Sequence, residues 1–367
     1  MDILFLTLRV FSATGGIEKV CRLAGRALHL LSSEQSNSKV SILSMYDEKT
    51  DGNDLYFPAS IFRGFGKSKV NFIASAVKEG INNQMVILSH VNLLLVGYLI
   101  KLIAPQTKLV LIAHGIEVWR IFPKWKKMML NKIDLILPVS EFTKTRMMEL
   151  YGIPEHKMVV LNNCLDPFLP LPLKAKKNGR LLQQYGIKEN DTVLFTLTRM
   201  ASGERYKGYD QVIQAVHDLK HLQPTIKYLI VGKYDDVEKA RLDEVITRLQ
   251  LNDHIIFAGF IPDDEIAVHF NLADIYIMPS QKEGFGIVFI EALYYGKPVI
   301  AGNIDGSVDA LKNGVFGLLV NPADQQQITD AVIAVIKNKQ QYIPNAAMVS
   351  AHFGFDVYKE KLRKIIN

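Results

Sequence analysis

The chain has 367 residues, of which 49% are hydrophobic and 22% charged, so it is long enough for two globular domains. Its two cysteines, Cys21 and Cys164, stand far apart, which argues against a disulfide framework and favours a reducing compartment. The net charge is +6. Residues 1–170 hold 20 Lys and Arg against 14 Asp and Glu, whereas residues 171–367 hold 23 of each. No zinc-finger or RNA-binding motif accompanies this charge, so nucleic acid is a poor candidate partner.

In the first half of the chain, strand-like runs alternate with helix-like runs. Strands are predicted at Asp2–Leu8, Val40–Met45, Met85–Ser89, Lys108–His114, Leu135–Ser140 and Met158–Asn162, and helices at Ile17–Leu31, Asn71–Gly80, Asn92–Ile103 and Glu141–Tyr151. Alternation of this kind predicts a parallel sheet that is covered on both faces.

No membrane span or secretion signal is predicted. The first residues, Met1–Thr7, carry an acid where a signal peptide has a basic region. The apolar stretch Met85–Ala104 contains His90, Asn92 and Lys101, and we interpret it as a buried strand followed by a buried helix. We therefore expect a cytoplasmic protein.

A proline-rich basic segment interrupts the alternation, which then starts again. Residues 166–180 contain three prolines and read as a linker. The predicted organisation is a first domain at 1–165, a second at 181–350, and an amphipathic helix within 351–367. The second domain again alternates strands with helices, as in a doubly wound fold.

The most informative segment is Glu283-Gly-Phe-Gly-Ile-Val-Phe-Ile-Glu291. It follows the apolar strand around Ile275–Pro279, turns on glycines, and begins a helix. Such a turn presents free backbone N–H groups to an anion. Carboxylates would repel phosphate but accept hydrogen bonds from sugar hydroxyls, so the pattern favours a nucleotide sugar. The alternative is that Glu283 only complements the helix dipole and Glu291 is a solvated helix residue.

These residues resemble the E-x7-E signature of the retaining family 4 glycosyltransferases, which have the GT-B fold. The resemblance extends to Thr198–Gly208, to the turn Phe257–Pro262 and to Gly15-Gly16. It implies an α/β protein with two facing Rossmann-like, doubly wound domains and a catalytic cleft between them. It also implies that the final helix crosses back to the first domain.

The resemblance implies a donor site in the second domain. Arg199 and Lys207 would contact the donor diphosphate, Glu283 the transferred sugar and Glu291 the ribose. The N–H groups of Gly286, Ile287 and Val288 would bind the phosphates, and the turn at Gly259, Phe260 and Ile261 would hold the base. The remaining donor-binding residues implied are Gly284 and Phe285, with Gly16 from the first domain. The alternative for Arg199 and Lys207 is a pair of ordinary surface cations.

An acceptor site is expected in the first domain, at Gly15, Gly16, His114 and Glu117. His114 ends a strand before a glycine and matches the family's active-site histidine. The resemblance therefore implies that the catalytic residues are His114, Arg199, Lys207 and Glu283. The alternative for Gly15-Gly16 is a simple turn. The alternative for His114 is a buried, hydrogen-bonded core histidine. The run Asn162-Asn-Cys-Leu-Asp166 lacks the glycine that the family often has there.

The predicted activity is transfer of a sugar from a nucleoside diphosphate, UDP or GDP, to a saccharide or lipid-linked acceptor, in polysaccharide or glycolipid synthesis. No metal or other cofactor is expected, because no spaced Asp-x-Asp pair follows a strand. The basic, aromatic segment Trp119–Lys132 predicts peripheral contact with an anionic membrane, or else an ordinary basic helix. A sugar-nucleotide epimerase and a non-catalytic nucleotide-sugar-binding protein are the rival functions.

Overall fold

The computed structural model describes residues 1–35, 38–173 and 176–366. Residues 174 and 175 of the predicted linker, and residue 367 of the predicted last helix, lie outside the described residues. The chain divides into two compact units, one formed by residues 1–167 with 353–367 and the other by residues 168–352.

The first unit contains a six-stranded parallel sheet. Its strands are β1 (Ile3–Thr7), β2 (Val40–Ser44), β3 (Phe62–Gly64), β4 (Met85–Leu88), β5 (Lys108–Ala113) and β6 (Leu135–Pro138). Their order is β3-β2-β1-β4-β5-β6, and all neighbours are parallel. Every residue of β1 and β4 is buried, as expected for central strands with helices on both faces.

Five helices of the first unit accompany this sheet. They are α1 (Gly16–Ser33), α2 (Lys69–Gly80), α3 (Leu94–Ile103), α4 (Lys124–Leu130) and α5 (Glu141–Tyr151). α1 buries Val20, Leu23, Ala24, Ala27, Leu28 and Leu31, which recur at the spacing of one helix face.

The second unit repeats the arrangement. Its strands are β7 (Thr192–Leu197), β8 (Ile226–Val231), β9 (Ile255–Gly259), β10 (Ile275–Met278), β11 (Val299–Gly302) and β12 (Leu318–Val320). They are parallel in the order β12-β11-β10-β7-β8-β9, which is the same relative order as in the first sheet. The predicted fold class, two Rossmann-like doubly wound domains, is therefore confirmed.

Within the described residues, eight further α-helices precede, connect or follow the strands of the second unit. They are α6 (Gly179–Tyr185), α7 (Tyr209–Leu219), α8 (Asp236–Arg248), α9 (Ile266–Leu272), α10 (Ile287–Tyr294), α11 (Ser307–Ala310), α12 (Gln325–Lys337) and α13 (Ala346–Phe353). The last helix, α14 (Phe355–Ile366), belongs to the first unit and packs against α1. There Glu34, just after α1, pairs with Lys359 at 3.4 Å and with Arg363 at 2.5 Å.

One predicted strand differs from the structure, and the predicted strand and helix from Met85 onward agree with it. Met158–Asn162 is not a strand: Met158 forms one isolated bridge to Ile136. Leu161 N donates to Pro138 O at 2.9 Å, but Pro138 has no N–H to donate in return, so the ladder beside β6 is incomplete. The apolar stretch from Met85 forms β4 and α3, and no helix in the described ranges is long and apolar enough to span a bilayer.

Candidate active site

The candidate site of the second unit lies at the carboxyl ends of its two central strands. β7 and β10 are adjacent, and the chain winds outward from them in both directions, which makes this pair the topological switch point. Open α/β sheets bind ligands in the crevice at such a point. The loop at residues 198–208 follows β7 and the loop at residues 279–286 follows β10, so most of the predicted donor residues share this edge.

An ion pair joins these two loops. Lys207 Nζ lies 2.6 Å from Glu283 Oε2, and the two side chains are 17% and 18% exposed. Burial acts to lower the pKa of Lys207, but the charge and hydrogen bond of Glu283 outweigh it and the pKa is raised. Backbone contact strengthens the junction, because Gln281 N donates to Tyr206 O at 2.8 Å. The site thus presents a fixed cation beside a fixed carboxylate.

Arg199 is the second cation of the loop after β7. Its guanidinium forms a two-point pair with Glu204, in which Nε lies 3.0 Å from Oε2 and a terminal nitrogen bonds Oε1. Its side chain is 67% exposed, so water and ligands reach it. A planar guanidinium can bind two oxygens at once, which suits a phosphate that competes with Glu204.

A buried aspartate that the sequence analysis missed holds the Glu283 loop in place. Asp305, fully buried after β11, accepts hydrogen bonds from Ser280 Oγ at 2.6 Å, Glu283 N at 2.8 Å and Ser307 N at 2.9 Å. Gly306 N donates to Glu283 O at 2.8 Å, and a Cβ on Gly306 would lie 2.0 Å from Gly284 O. The two loops pack so closely that the position of Glu283 depends on Asp305.

Burial raises the pKa of Asp305 from its ordinary 3.8 to about 6, against hydrogen bonds that lower it. Between those values the folded protein binds more protons than the unfolded chain, so this group's contribution to stability falls as pH rises. We expect the difference in unfolding free energy between wild type and Asp305→Asn to shrink by about 2 kcal/mol from about pH 4.5 to about pH 7.5. Urea unfolding at both pH values measures it. The exposed Asp253→Asn is the control, and a pH-independent difference for Asp305→Asn would contradict this prediction.

The start of α10 carries the remaining donor residues of the E-x7-E segment. Gly286 adopts a left-handed conformation with φ 83°, and a Cβ there would lie 2.3 Å from the ring of Phe289. Gly284, Phe285 and Ile287 are buried, and Val288 is half-buried. Glu291 is fully buried inside α10, so it is not the solvated helix residue of the alternative interpretation.

The turn after β9 provides an aromatic surface at the same edge. Phe260 is 52% exposed, and Lys233 Nζ, from the loop after β8, lies 4.7 Å from the centre of its ring. Gly259 has φ 73° and accepts a hydrogen bond from Gly232 N at 2.7 Å, whereas Ile261 is buried. The sequence analysis missed Lys233, because its approach to Phe260 depends on the neighbouring positions of β8 and β9.

In the first unit, Gly15 and Gly16 are exposed at the start of α1. A Cβ on Gly16 would meet nothing within 4 Å, so packing does not require glycine there. The preceding loop is anchored by Asp47, a fully buried residue that the sequence analysis missed. Its carboxylate accepts from the backbone N–H groups of Val10 at 2.7 Å and Ser12 at 2.6 Å. Asp47 thus serves the loop after β1 as Asp305 serves the loop after β10.

His114 lies at the carboxyl end of β5 and is 9% exposed. Its Nε2 is 2.7 Å from Ser89 O, and because a carbonyl only accepts, Nε2 carries a proton and donates to it. Glu117 Oε1 accepts from the backbone N–H of His114 at 2.6 Å, so this carboxylate is part of the same turn. The structure therefore brings His114 and Glu117 together at one sheet edge.

Across the described residues, no group of three or more His, Cys, Asp or Glu side chains is placed to hold a metal ion. Metal independence stays a prediction that an experiment must decide.

Comparisons with known proteins agree with this architecture. Residues 35–167 match the model of Glycosyltransferase Family 4, and residues 178–349 match that of Glycosyl transferases group 1. The crystal structure of HepE from Anabaena in complex with UDP superposes with a TM-score of 0.81 at 22% identity, covering 100% of this chain and 99% of that one. The chain belongs to the family 4-like glycosyltransferases with the GT-B fold.

Similar sequences include mycobacterial enzymes described as GDP-mannose-dependent α-(1-6)-phosphatidylinositol monomannoside mannosyltransferases. The Mycolicibacterium smegmatis enzyme is 30% identical over 242 residues, which cover 62% of this chain and 61% of that enzyme. The Mycobacterium tuberculosis enzyme is 28% identical over 285 residues, or 72% of each chain. The chain thus spans less than two thirds of the first of these relatives.

Proposed function

We propose that this protein is a retaining glycosyltransferase that moves a sugar from a nucleoside-diphosphate sugar to a saccharide or lipid-linked saccharide in polysaccharide or glycolipid synthesis. The observation that carries the proposal is the Lys207–Glu283 ion pair at the switch point of the second sheet, with Arg199 on the same loop. The relatives' dependence on GDP-mannose and the UDP bound by HepE support a UDP- or GDP-linked donor.

The chemistry follows from where charge develops. As the bond to the diphosphate breaks, negative charge grows on the leaving phosphate and positive charge on the anomeric carbon. Lys207 stabilises the leaving group, and Arg199 exchanges Glu204 for phosphate oxygens. Glu283 accepts hydrogen bonds from sugar hydroxyls through the oxygen that does not face Lys207. The first N–H groups of α10, at Ile287 and Val288, add donors toward the phosphates.

The test of the proposal is product analysis with UDP- and GDP-linked sugars and a panel of saccharide and lipid-linked acceptors. We expect acceptor-dependent release of nucleoside diphosphate, and NMR of the product should show the anomeric configuration of the donor. An epimerase would instead release a free epimer or nucleotide with no acceptor present. A non-catalytic binding protein would bind the donor without turnover.

We expect transfer to be independent of divalent metal, with Arg199, Lys207 and backbone N–H groups stabilising the charge that a metal would otherwise stabilise. Activity with excess EDTA should stay within about twofold of the untreated enzyme, since no transition-state interaction is removed. Loss of activity on chelation, restored by Mg²⁺ or Mn²⁺, would contradict the expectation.

Peripheral membrane contact through the first unit is the proposed route to a lipid-linked acceptor. Ile121, Trp125 and Met128 are 84%, 58% and 46% exposed, among the basic side chains of Arg120 and Lys124. Apolar insertion and attraction to anionic lipid act together at such a surface. We propose a cytoplasmic protein that contacts the inner face of the membrane.

Flotation with anionic vesicles checks this surface. We expect binding at low salt that fades as salt is raised to about 0.5 M, because screening shortens the reach of the charges. Trp125→Ala should weaken binding several-fold, while Leu222→Ala, at a site in the second unit that is 77% exposed, should not. Wild-type protein that remains at the bottom of the gradient would contradict membrane contact.

A further inference from the structure

Within the part of the chain that the structure describes, one buried lysine of the first unit has no carboxylate in contact with it. Lys126, on α4, is 9% exposed, and its Nζ donates to Asn92 Oδ1 at 3.2 Å and lies 4.6 Å from the centre of the Phe122 ring. Among the described residues, neither Lys126 nor the exposed Arg120 takes part in an ion pair. A buried charge without an opposite charge is costly, so its retention calls for an explanation.

Several other half-buried lysines are paired with carboxylates, although Lys297 instead donates to Ala273 O at 2.9 Å. Five whose side chains are 14% to 19% exposed each contact a carboxylate: Lys101 with Asp134, Lys144 with Glu155, Lys177 with Asp274, Lys207 with Glu283, and Lys359 with Glu34. Packing of Lys126 against Phe122 does not explain why this residue is a lysine. An apolar side chain at the same position would make that contact without the cost of removing a charge from water.

Positive charge accumulates around Lys126. Burial and then Arg120 lower the pKa of Lys126, while Glu117 opposes them. Burial, followed by His114, Lys126 and Arg120, lowers the pKa of His90 to about 4. His90 is therefore neutral at physiological pH, and because its Nδ1 accepts from Asn92 N at 3.0 Å, its Nε2 is a donor. Glu117 is the carboxylate among the groups that shift these two pKa values, and it already accepts a hydrogen bond from His114 N.

These groups lie at the ligand-binding edge of the first sheet. His90 follows β4, and His114 follows β5, its neighbour in the sheet. Lys126, Arg120 and the neutral imidazole N–H of His90 offer only donors, and the two cations leave an excess of positive charge. Sugar hydroxyls would not offset that charge, whereas a phosphate brings −1.5 to −2 charges and several acceptor oxygens.

We propose that Lys126, Arg120 and His90 bind a phosphate group of the acceptor substrate. This inference rests on the proposed glycosyltransferase function and narrows the acceptor to phosphate-bearing saccharides or lipids. The neighbouring exposed Ile121 and Trp125 favour a phosphate attached to a lipid. A soluble sugar phosphate has the same recognised group, so the experiment includes both.

The first arm measures binding of inorganic phosphate to the full chain by calorimetry, at fixed ionic strength in chloride and with the donor site saturated by nucleoside diphosphate. Lys126→Met should raise the Kd for phosphate by ~10-fold or more, as expected when a charge-assisted hydrogen bond is lost. Arg120→Gln should raise the Kd for phosphate by about 3-fold or more. Because Arg120 is exposed, this variant tests the proposal even if Lys126→Met does not fold. The adjacent exposed Lys127→Met should stay within about 2-fold of wild type.

The second arm separates the two sources of phosphate. If the acceptor is a lipid, binding to vesicles of phosphatidylcholine with phosphatidic acid should fall by about 10-fold in Lys126→Met and by less in Lys127→Met. If it is soluble, hexose phosphate should displace inorganic phosphate and the vesicles should not distinguish the variants. Equal phosphate affinity in wild type and Lys126→Met, or no phosphate binding, would overturn the proposal. If the nucleotide itself does not bind, the proposed function fails instead.

Discussion

Lys207→Met is expected to lower kcat by ~10²-fold or more, because it removes a cation from the phosphate on which charge develops. Lys207 Nζ lies 2.6 Å from Glu283 Oε2 and the side chain is 17% exposed, so the ammonium group is held beside the carboxylate of the site. Arg199→Ala should have an effect of the same order. Steady-state rates with a nucleotide sugar and acceptor measure both.

The same substitution leaves Glu283 half-buried without its partner, so lost stability must be separated from lost chemistry. The double variant Lys207→Met/Glu283→Gln removes both charges and should regain thermal stability relative to Lys207→Met, but not activity. Lys282→Met is the matched control. Lys282 is exposed and lies 5.8 Å from the same Tyr206 ring that Lys207 approaches at 5.6 Å. The kcat of Lys282→Met should stay within about 3-fold of wild type. An equal loss of kcat in Lys282→Met and Lys207→Met would contradict a specific role for Lys207.

Glu283→Gln is expected to separate binding of the sugar from binding of the nucleotide. Loss of the carboxylate weakens the hydrogen bonds to sugar hydroxyls, so kcat/KM for the nucleotide sugar should fall by ~10²-fold. It also frees the Lys207 ammonium from its counter-charge. Affinity for the bare nucleoside diphosphate should therefore be unchanged or tighter.

Calorimetry with the nucleotide and kinetics with the nucleotide sugar measure this contrast. Glu244→Gln, an exposed residue of α8, is the control and should alter neither quantity. Equal losses for nucleotide and nucleotide sugar in Glu283→Gln would show that Glu283 does not contact the sugar.

The fold was predictable because its sheets are parallel and buried. Central strands such as β1, β4 and β10 are continuous apolar runs, and the helices between them have clear periodicity. The edge strands β3 and β12 have three residues each, too few for a pattern. The irregular path after Met158 depends on the absence of an N–H at Pro138 in β6, which a strand-by-strand analysis of the sequence does not consider.

The types of residues in the candidate site were predictable, but their pairing was not. Glu283 and Lys207 are 76 positions apart and meet because β7 and β10 are neighbours, a fact of topology. Asp47 and Asp305 look like ordinary polar turn residues in the sequence. Their roles depend on complete burial beside loops that need hydrogen-bond acceptors.

Thermal denaturation with a panel of nucleotides tests the central claim most directly. A ligand that binds only the folded protein raises its stability in proportion to ln(1 + [L]/Kd). We predict that UDP or GDP, with its sugar derivatives, raises the melting temperature of the wild-type protein, and that the corresponding nucleosides without phosphate do not. No stabilisation by UDP, GDP, ADP or any of their sugars would contradict a nucleotide-sugar site at Arg199, Lys207 and Glu283.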